Sequence, residues 1–262
     1  MISRTHSDAR RPKDADWELS VNRQSGGNPE RTADWSAYAE TYDLLLEHNP
    51  AYQELLAEFE AFLAANEPPQ VIYDVGGGTG NYAQIAARMC PESSIYFIEP
   101  DRAMRERAKA KLAAHANVTY IDRALQDVRA TAKADLVICV HALYSMPEPQ
   151  DRLGELRGLL RPGGLLFLID LGRQMNVRDW RSYLFSHLTK ELGILGALQI
   201  LWKGREIAKQ NKAIFKAQQE GLYWTHTESE IASAVEKAGF DVISRKPVYR
   251  GYSDYLLCRA AP

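Results

Sequence analysis

A glycine-rich segment constrains the fold of this chain more than any other feature. The chain reads Tyr73-Asp-Val-Gly-Gly-Gly-Thr-Gly-Asn-Tyr82 between a short apolar run and a helical pattern. Glycines let a backbone turn without a Cβ clash and approach a ligand, and a helix N-terminus offers free N–H groups. A strand, a glycine turn and a helix in this order predict a ligand-binding turn of an α/β sheet.

Short apolar runs alternate with helical patterns around this turn. Runs that are apolar throughout are typical of parallel strands that helices cover on both faces. The predicted strands cover residues 71–75, 94–98, 118–121, 135–140 and 165–169, and the predicted helices cover residues 82–89, 103–114 and 150–160. The fifth strand follows the turn Arg161-Pro-Gly-Gly164. The predicted fold class is therefore α/β and doubly wound.

The last third of the chain departs from this alternation. Residues 174–221 carry a long helical pattern, and Thr227-Glu-Ser-Glu230 is a capping box that opens a further helix. Two final strands, at residues 242–248 and 253–259, are joined by a link too short for a crossover helix, so they are predicted to be antiparallel. We expect a mostly parallel seven-stranded sheet with an antiparallel terminal strand, N-terminal helices and a helical lid insertion.

The region before the first strand divides into two parts. Residues 1–32 are polar and glycine-rich without periodicity, which predicts a mobile N-terminal arm. On both sides of Asn49-Pro50, apolar residues recur at three- and four-residue spacing, which predicts two amphipathic helices. Residues 33–262 are predicted to form one domain, with residues 175–221 as its lid insertion.

Composition narrows the functional classes. The 262 residues are 45% hydrophobic and 25% charged, as in an ordinary globular protein, and a net charge of −2 gives no general attraction to nucleic acid. Cys90, Cys139 and Cys258 stand too far apart for a zinc site or a disulfide framework, so no metal and a reducing cytoplasm are expected. The charged N-terminus does not match a signal peptide, and no apolar run reaches the roughly 20 residues of a membrane span.

The glycine turn fits two kinds of cofactor. Gly78-Thr-Gly80-Asn-Tyr-Ala83 matches the dinucleotide fingerprint GxGxxA, and Glu99 follows about 20 residues later, where such sites bind ribose. This interpretation predicts a nicotinamide-dependent oxidoreductase. The acid Asp74 inside the strand, the additional glycine and the closing hairpin argue against it.

A second interpretation rests on a family resemblance. Asp74-Val-Gly-Gly-Gly-Thr-Gly80 resembles motif I, D-x-G-x-G-x-G, of the class I S-adenosylmethionine (SAM) dependent methyltransferases. Ile98-Glu-Pro-Asp101 with Met104 is similar to the acidic end of the family's second strand. The turn before the fifth strand and Ala238-Gly-Phe240 before the hairpin also resemble family features, so the resemblance spans about residues 35–260.

This resemblance implies a SAM site at the glycine turn. Gly76, Gly78 and Gly80 would border the methionine moiety, Asp74 would orient its amino group, and Glu99 would accept both ribose hydroxyls. Many relatives hold the adenine amino group with an acid after the third strand, but Ala124 stands at that position here. The implied cofactor-binding set is completed by Pro100, Met104, Leu125, Gln126 and Val140, with Asp127 as an alternative adenine contact if the loop shifts.

Two further segments of the chain carry candidate residues for the reaction centre. His141 follows the fourth strand, where the family's chain bends over the sulfonium, so it is the candidate general base or, alternatively, a residue that lines the pocket. The N-terminal helix carries Tyr38 and Tyr42, one of which would cover the methionine end unless both are core residues. His226, just before the capping Thr227, is expected to be solvated.

The predicted function is methyl transfer from SAM to a small, apolar or aromatic metabolite by in-line displacement, with no nucleic acid expected. An RNA or protein methyltransferase is the alternative, because residues 203–216 carry five cations and one acid. The many apolar residues of the lid predict an acceptor pocket or, as the rival, a homodimer interface. The sequence identifies neither the acceptor nor the attacked atom (O, N, C or S).

Overall fold

The computed structural model describes residues 32–262. The predicted mobile arm of residues 1–32 lies outside the described residues, apart from Thr32. The described chain forms a sheet with helices on both faces, and its two hydrophobic clusters lie on opposite sides of that sheet.

The sheet has seven strands in the order β3-β2-β1-β4-β5-β7-β6. Strands β1 to β5 are mutually parallel, and β7 runs antiparallel to both β5 and β6. Their bounds are β1 Val71–Val75, β2 Ser94–Ile98, β3 Val118–Ile121, β4 Ala134–Val140, β5 Leu160–Asp170, β6 Phe240–Val248 and β7 Ser253–Ala260. The predicted α/β fold class, with its mostly parallel sheet and closing hairpin, is confirmed.

Helices connect the parallel strands, and side chains cap the first turn of two of these helices. Asp101 accepts a hydrogen bond from the Met104 N–H, and the predicted capping box of Thr227 and Glu230 is present. These connecting helices are α3 Asn81–Met89, α4 Arg102–Lys111, α5 Pro149–Leu159 and α8 Glu228–Lys237. The glycine turn joins the end of β1 to the start of α3. It therefore lies at the carboxyl edge of the sheet, where open α/β sheets bind ligands.

The start of the fifth strand differs from the sequence prediction. Leu160 already pairs with Ala134, whereas the next pair is Leu136 with Leu165. Residues 161–164 therefore bulge out of the strand pair instead of preceding the strand, and helix α5 ends at Leu159. The prediction was wrong here because a proline and two glycines predict a turn but do not exclude pairing before it.

The two predicted N-terminal helices are α1 Trp35–His48 and α2 Pro50–Ala65. In α2, the fully buried ring of Phe59 lies 5.3 Å from the ring of Tyr82 and 5.0 Å from that of Phe167, measured between centroids. Helix α1 packs against α4 and against the helical insertion. These contacts bring α1 over the edge of the sheet that carries the glycine turn.

The predicted helical insertion consists of α6 Val177–Lys203 and α7 Arg205–Gln219. Helix α6 bends at Gly193, whose backbone leaves the helical region (φ +72°). After this bend the helix exposes large apolar side chains, of which Leu195 is 84% exposed. In residues 32–262 no helix has both the length and the apolar content that crossing a membrane would need.

Candidate active site

A cavity of about 220 Å³ opens at the carboxyl ends of β1, β2 and β4. We call it the central cavity. All the predicted site residues except Gly80 line it: Tyr42, Asp74, Gly76, Gly78, Glu99, Pro100, Met104, Leu125, Gln126, Val140 and His141. The structure therefore brings residues from five separate segments of the chain to one cavity.

The glycine turn forms the floor of this cavity. A Cβ atom on Gly76 would lie 2.5 Å from the Cβ of Ala142, so only glycine fits there without a shift. A Cβ on Gly78 would meet no atom within 4 Å, because this residue faces open space. The backbone at Gly78 is thus accessible to a ligand.

The structure does not bring Gly80 to the central cavity. This glycine precedes α3 with a left-handed backbone (φ +84°), and a Cβ there would lie 3.1 Å from the Cβ of Ala108 in α4. Gly80 lets α3 pack closely against α4. The glycine pattern includes a packing position as well as ligand-facing ones, and the sequence does not distinguish them.

Glu99 is held at the end of β2 by two backbone donors. Its Oε2 accepts a hydrogen bond from the Gly78 N–H (2.9 Å) and its Oε1 accepts one from the Asp101 N–H (2.8 Å). The side chain is buried, and burial raises the pKa of Glu99 to about 7. The carboxyl group is therefore fixed in orientation at the cavity wall.

Asp74 stands one strand away, at the end of β1. Its Oδ2 accepts a hydrogen bond from the Ala83 N–H in the first turn of α3 (3.1 Å). Burial raises the pKa of Asp74 to about 7, with a smaller increase from the nearby charge of Glu99. Two carboxyl groups that ionise near neutrality therefore line one cavity, an arrangement typical of functional sites.

A polar network that the sequence does not predict links the glycine turn to α1 and α4. The Thr79 hydroxyl donates to Asp43 Oδ1 (2.7 Å), and the Lys111 ammonium donates to the same oxygen (2.9 Å) and to Asn81. These contacts join α1, the turn and α4. No sequence motif connects the three segments, so only the fold reveals the network.

The loop after β3 places Ala124, Leu125 and Gln126 along the central cavity. The alternative adenine contact, Asp127, is not among the residues that line it. Residues 125–127 form a single 3-10 turn, and Leu125 is buried while Gln126 is exposed. This side of the cavity therefore offers backbone and amide groups instead of a carboxylate.

His141 lies at the end of β4 with a left-handed backbone (φ +49°). Its Nε2 is 2.8 Å from the Ser253 hydroxyl oxygen, and its ring centroid is 4.8 Å from that of Tyr249. Burial lowers the pKa of His141 to about 4, so the imidazole is neutral at neutral pH. It is one ring of an aromatic wall.

The tyrosines that form the rest of this aromatic wall were only partly predicted from the sequence. Tyr42 and Tyr52 both line the central cavity, with ring centroids 6.3 Å apart, and the buried hydroxyl of Tyr82 has no hydrogen-bond partner among the described residues. Tyr38 instead borders an adjoining cavity of about 40 Å³, which we call the neck cavity. Helical spacing predicted that these residues are buried but not which of them face a cavity.

His226 is not solvated, contrary to the sequence-based expectation. Its Nε2 lies 3.2 Å from Asp170 Oδ2 and its Nδ1 lies 3.5 Å from Asp254 Oδ2, all of them buried. Burial would lower the pKa of His226, but the hydrogen bond to Asp170 and the charges of both acids outweigh it and raise that pKa to about 9. Arg173 also pairs with Asp254, so the cluster holds two acids and two cations. Its members are far apart in sequence.

The residues of the central cavity fit S-adenosylmethionine. Asp74 can accept from an ammonium group, Glu99 can accept from ribose hydroxyls, and the open backbone at Gly78 admits a ligand between them. In residues 32–262 no group of three or more His, Cys, Asp or Glu side chains is placed to hold a metal ion.

The chain belongs to the methyltransferase domain family, whose sequence profile matches residues 45–245. This match confirms the predicted class I methyltransferase family and, with it, SAM as the expected cofactor. The chain is 27% identical over 135 residues to a malonyl-[acyl-carrier protein] O-methyltransferase of Halalkalibacterium halodurans, covering 50% of this chain and 49% of that protein. It thus spans about half the length of this curated relative.

Another relative matches over most of its length. The carboxy-S-adenosyl-L-methionine synthase of Desulfotalea psychrophila is 22% identical over 239 residues, which are 87% of this chain and 91% of that protein. Among solved structures, magnesium protoporphyrin IX methyltransferase from Synechocystis with bound SAM has a TM-score of 0.59 at 16% identity, covering 95% of this chain and all of that one. This structural likeness supports the fold alone.

Proposed function

We propose that this protein transfers a methyl group from SAM to a small, apolar or aromatic metabolite by in-line displacement. The observation that carries the proposal is the pair of buried carboxyl groups, Asp74 and Glu99, on two neighbouring strand ends beside the open glycine turn. This pair matches the two polar ends of the nucleoside and amino-acid parts of SAM. The family match and the motif support the same cofactor.

The cofactor would be held by residues from each side of the central cavity. Glu99 accepts from the ribose hydroxyls, Asp74 from the amino group, and Gly76 and Gly78 border the methionine moiety. Met104 and Pro100 pack beside the nucleoside, and Leu125 and Gln126 contact the adenine. Tyr42 and Val140 close the methionine side, so water is excluded from the reacting end.

The reaction needs mainly positioning. When bound, SAM supplies an activated methyl group, so the protein must hold the acceptor atom in line with it in a dry pocket. His141 and the surrounding tyrosine rings form the cavity wall nearest to the proposed position of the methyl group. A neutral imidazole with its pKa lowered to about 4 is a weak proton acceptor at neutral pH, so we assign His141 to the pocket wall instead of the role of general base.

The apolar character of the acceptor follows from the lid. The cavities beyond the central one are lined mainly by aromatic and aliphatic side chains of α1, α6 and α7. A carrier-protein-bound acceptor, as named for the Halalkalibacterium halodurans relative, or an RNA or protein acceptor, is the alternative that the exposed cations of α7 favour. Two of these cations pair with nearby acids, Lys209 with Glu206 in α7 and Lys216 with Glu220 directly after it, which reduces the free charge for such partners.

Two measurements test this proposal. Isothermal titration calorimetry with SAM, its demethylated product and NAD identifies the cofactor, and we expect binding of the first two only. Transfer of tritium from methyl-labelled SAM into fractionated extracts then identifies the acceptor class. Label in small organic-soluble compounds supports the proposal, whereas label confined to RNA or protein contradicts it.

A further inference from the structure

A second cavity lies within the helical insertion. It has a volume of about 290 Å³ and is bounded by the junction of α1 and α2 and by helices α6 and α7. Leu184, Leu188, Ile200 and Ile207 form its apolar wall. We call it the lid cavity, and none of the residues assigned to the cofactor borders it.

The neck cavity adjoins both the lid cavity and the central cavity. Met175 and Asn211 line both the lid cavity and the neck cavity. Tyr42, Tyr52 and His141 line both the neck cavity and the central cavity. The three cavities therefore follow one another from the glycine turn to the helical insertion, with His141 in the wall shared by the neck cavity and the central cavity.

Two buried polar atoms at the wall of the lid cavity lack partners among the described residues. Asn49 Oδ1 is an acceptor without a donor, although the Asn49 amide Nδ2 donates to the Tyr249 hydroxyl (3.3 Å). Trp180 Nε1 is a donor without an acceptor. Both side chains are more than nine-tenths buried. An unmet buried donor and acceptor are costly, and a ligand hydroxyl group that reaches either atom would satisfy it.

The charged side chains that line the lid cavity are positive. Arg181 and Arg205 are exposed and line it, and no carboxylate does so within residues 32–262. Arg205 lies over the Trp202 ring at 4.7 Å, whereas Arg181 has no hydrogen bond or ion pair within the same range. Guanidinium groups at the mouth of an apolar cavity are suited to a carboxylate or a similar anion.

We infer that the lid cavity binds the methyl acceptor, and that this acceptor is an amphipathic anion. Its apolar, hydroxyl-bearing body lies in the cavity against Trp180 and Asn49, its anionic group meets Arg181 and Arg205, and its reacting end extends through the neck toward His141. This inference rests on the proposed methyl transfer to a small molecule. It adds the charge and polar pattern of the substrate class.

Matched rigid probes test the inference without any methyl transfer. Calorimetric titration of the full chain would use 6-hydroxy-2-naphthoate, 2-naphthoate, which lacks the hydroxyl, and 2-naphthol, which lacks the carboxylate. We expect 6-hydroxy-2-naphthoate to bind about fivefold more tightly than either of the other two. Equal affinity for all three probes would overturn the assignment of an anionic, hydroxyl-bearing ligand.

Paired variants locate the site. Arg181→Gln with Arg205→Gln should reduce the affinity of 6-hydroxy-2-naphthoate to that of 2-naphthol and weaken 2-naphthoate by a similar factor. Lys203→Gln with Lys209→Gln, which removes two exposed cations outside the cavity lining, should change nothing. Ile200→Trp should abolish binding of all three probes by filling the cavity, and Leu195→Trp on the exposed face should not. If Ile200→Trp does not fold, Leu184→Trp replaces it.

The outcomes separate this inference from the proposed function. Loss of probe binding in Leu195→Trp but not in the cavity-filling variant would place the probes on the exposed face and overturn the inference. Normal SAM binding and methyl transfer together with naphthoate affinities unaffected by the arginine changes would overturn it and leave the proposed function intact. Probe binding in a chain that does not bind SAM would remove the proposed function instead.

Discussion

The imidazole Nε2 of His141 lies 2.8 Å from the hydroxyl oxygen of Ser253, so β7 fixes the ring that we place beside the reaction centre. Burial keeps this ring neutral, with its pKa lowered to about 4. His141 is thus held in place by β7 and is poorly suited to gain a proton. The reaction we propose depends on position more than on a base.

The first prediction concerns His141→Ala. Loss of an effective general base costs ~10² to 10⁴-fold in turnover, whereas loss of a wall residue mainly weakens substrate binding. We expect turnover at saturating substrates to fall less than about tenfold while KM rises. Steady-state kinetics of His141→Ala and of the control Ser253→Ala, which keeps the imidazole, test this prediction. A hundredfold fall at saturation would show that His141 acts as the base.

The second prediction concerns the pH dependence of cofactor binding. Asp74 and Glu99 both have a pKa raised to about 7 by burial, and the SAM ammonium and ribose groups favour the ionised carboxylates. Binding therefore releases protons, so the affinity for SAM should increase as the pH rises toward 7 and level off above it. Calorimetry in buffers of different ionisation enthalpy measures this release at pH 6. Proton uptake at that pH would be the opposite result.

The third prediction concerns the buried cluster around His226. Its pKa is raised to about 9 from an ordinary value near 6.5, so the folded chain binds more protons than the unfolded chain between these values. The stabilisation is complete below pH 6.5 and is lost as the pH rises through 9.

Denaturant unfolding tests this prediction. His226→Asn should reduce the free energy of unfolding by about 3 kcal/mol at pH 7, because it leaves Asp170 and Asp254 buried with a partner missing. The loss should shrink toward pH 10. A loss that is equal at pH 7 and pH 10 would show that the charge of His226 does not contribute.

Much of the proposed cofactor site could be predicted from the sequence because it depends on strand ends. Asp74 and Glu99 follow from the apolar pattern of β1 and β2 and from their spacing to the glycines, since parallel strands bring their carboxyl ends to one edge. Gly80 packs against α4 and does not line the central cavity, which the motif does not reveal because packing and ligand approach require the same residue type. The cavity-facing sides of Tyr52 and Tyr82 depend on how α2 and α3 dock, which periodicity does not specify.

Two other features could not be predicted from the sequence, for a different reason. The partners of His226 come from β5 and β7, and a loop histidine carries no local signal of such long-range contacts. The same holds for the lid cavity, which Asn49 from one helix junction and Trp180 from α6 both line. Long-range pairing of polar groups is a property of the fold and not of any window of the sequence.

The fourth prediction concerns the helical insertion, whose role as a lid remains a prediction with a homodimer interface as its rival. A lid should gain hydrogen-exchange protection over residues 177–219 when the demethylated cofactor and 6-hydroxy-2-naphthoate are added at constant protein concentration. A dimer interface through Leu195 and Trp202 should lose protection on dilution. Protection that changes with dilution but not with ligands would reject the lid.

The most direct test of the account is SAM affinity in Glu99→Ala. Glu99 is the buried carboxylate that we assign to the ribose hydroxyls, and charge-assisted hydrogen bonds contribute roughly 1.5 to 3 kcal/mol each. We expect the variant to fold and to bind SAM about 30-fold more weakly, or by about 2 kcal/mol, whereas Glu106→Ala, an exposed acid on α4, should bind as the parent does. An unchanged dissociation constant in folded Glu99→Ala would contradict the assignment of the central cavity to SAM.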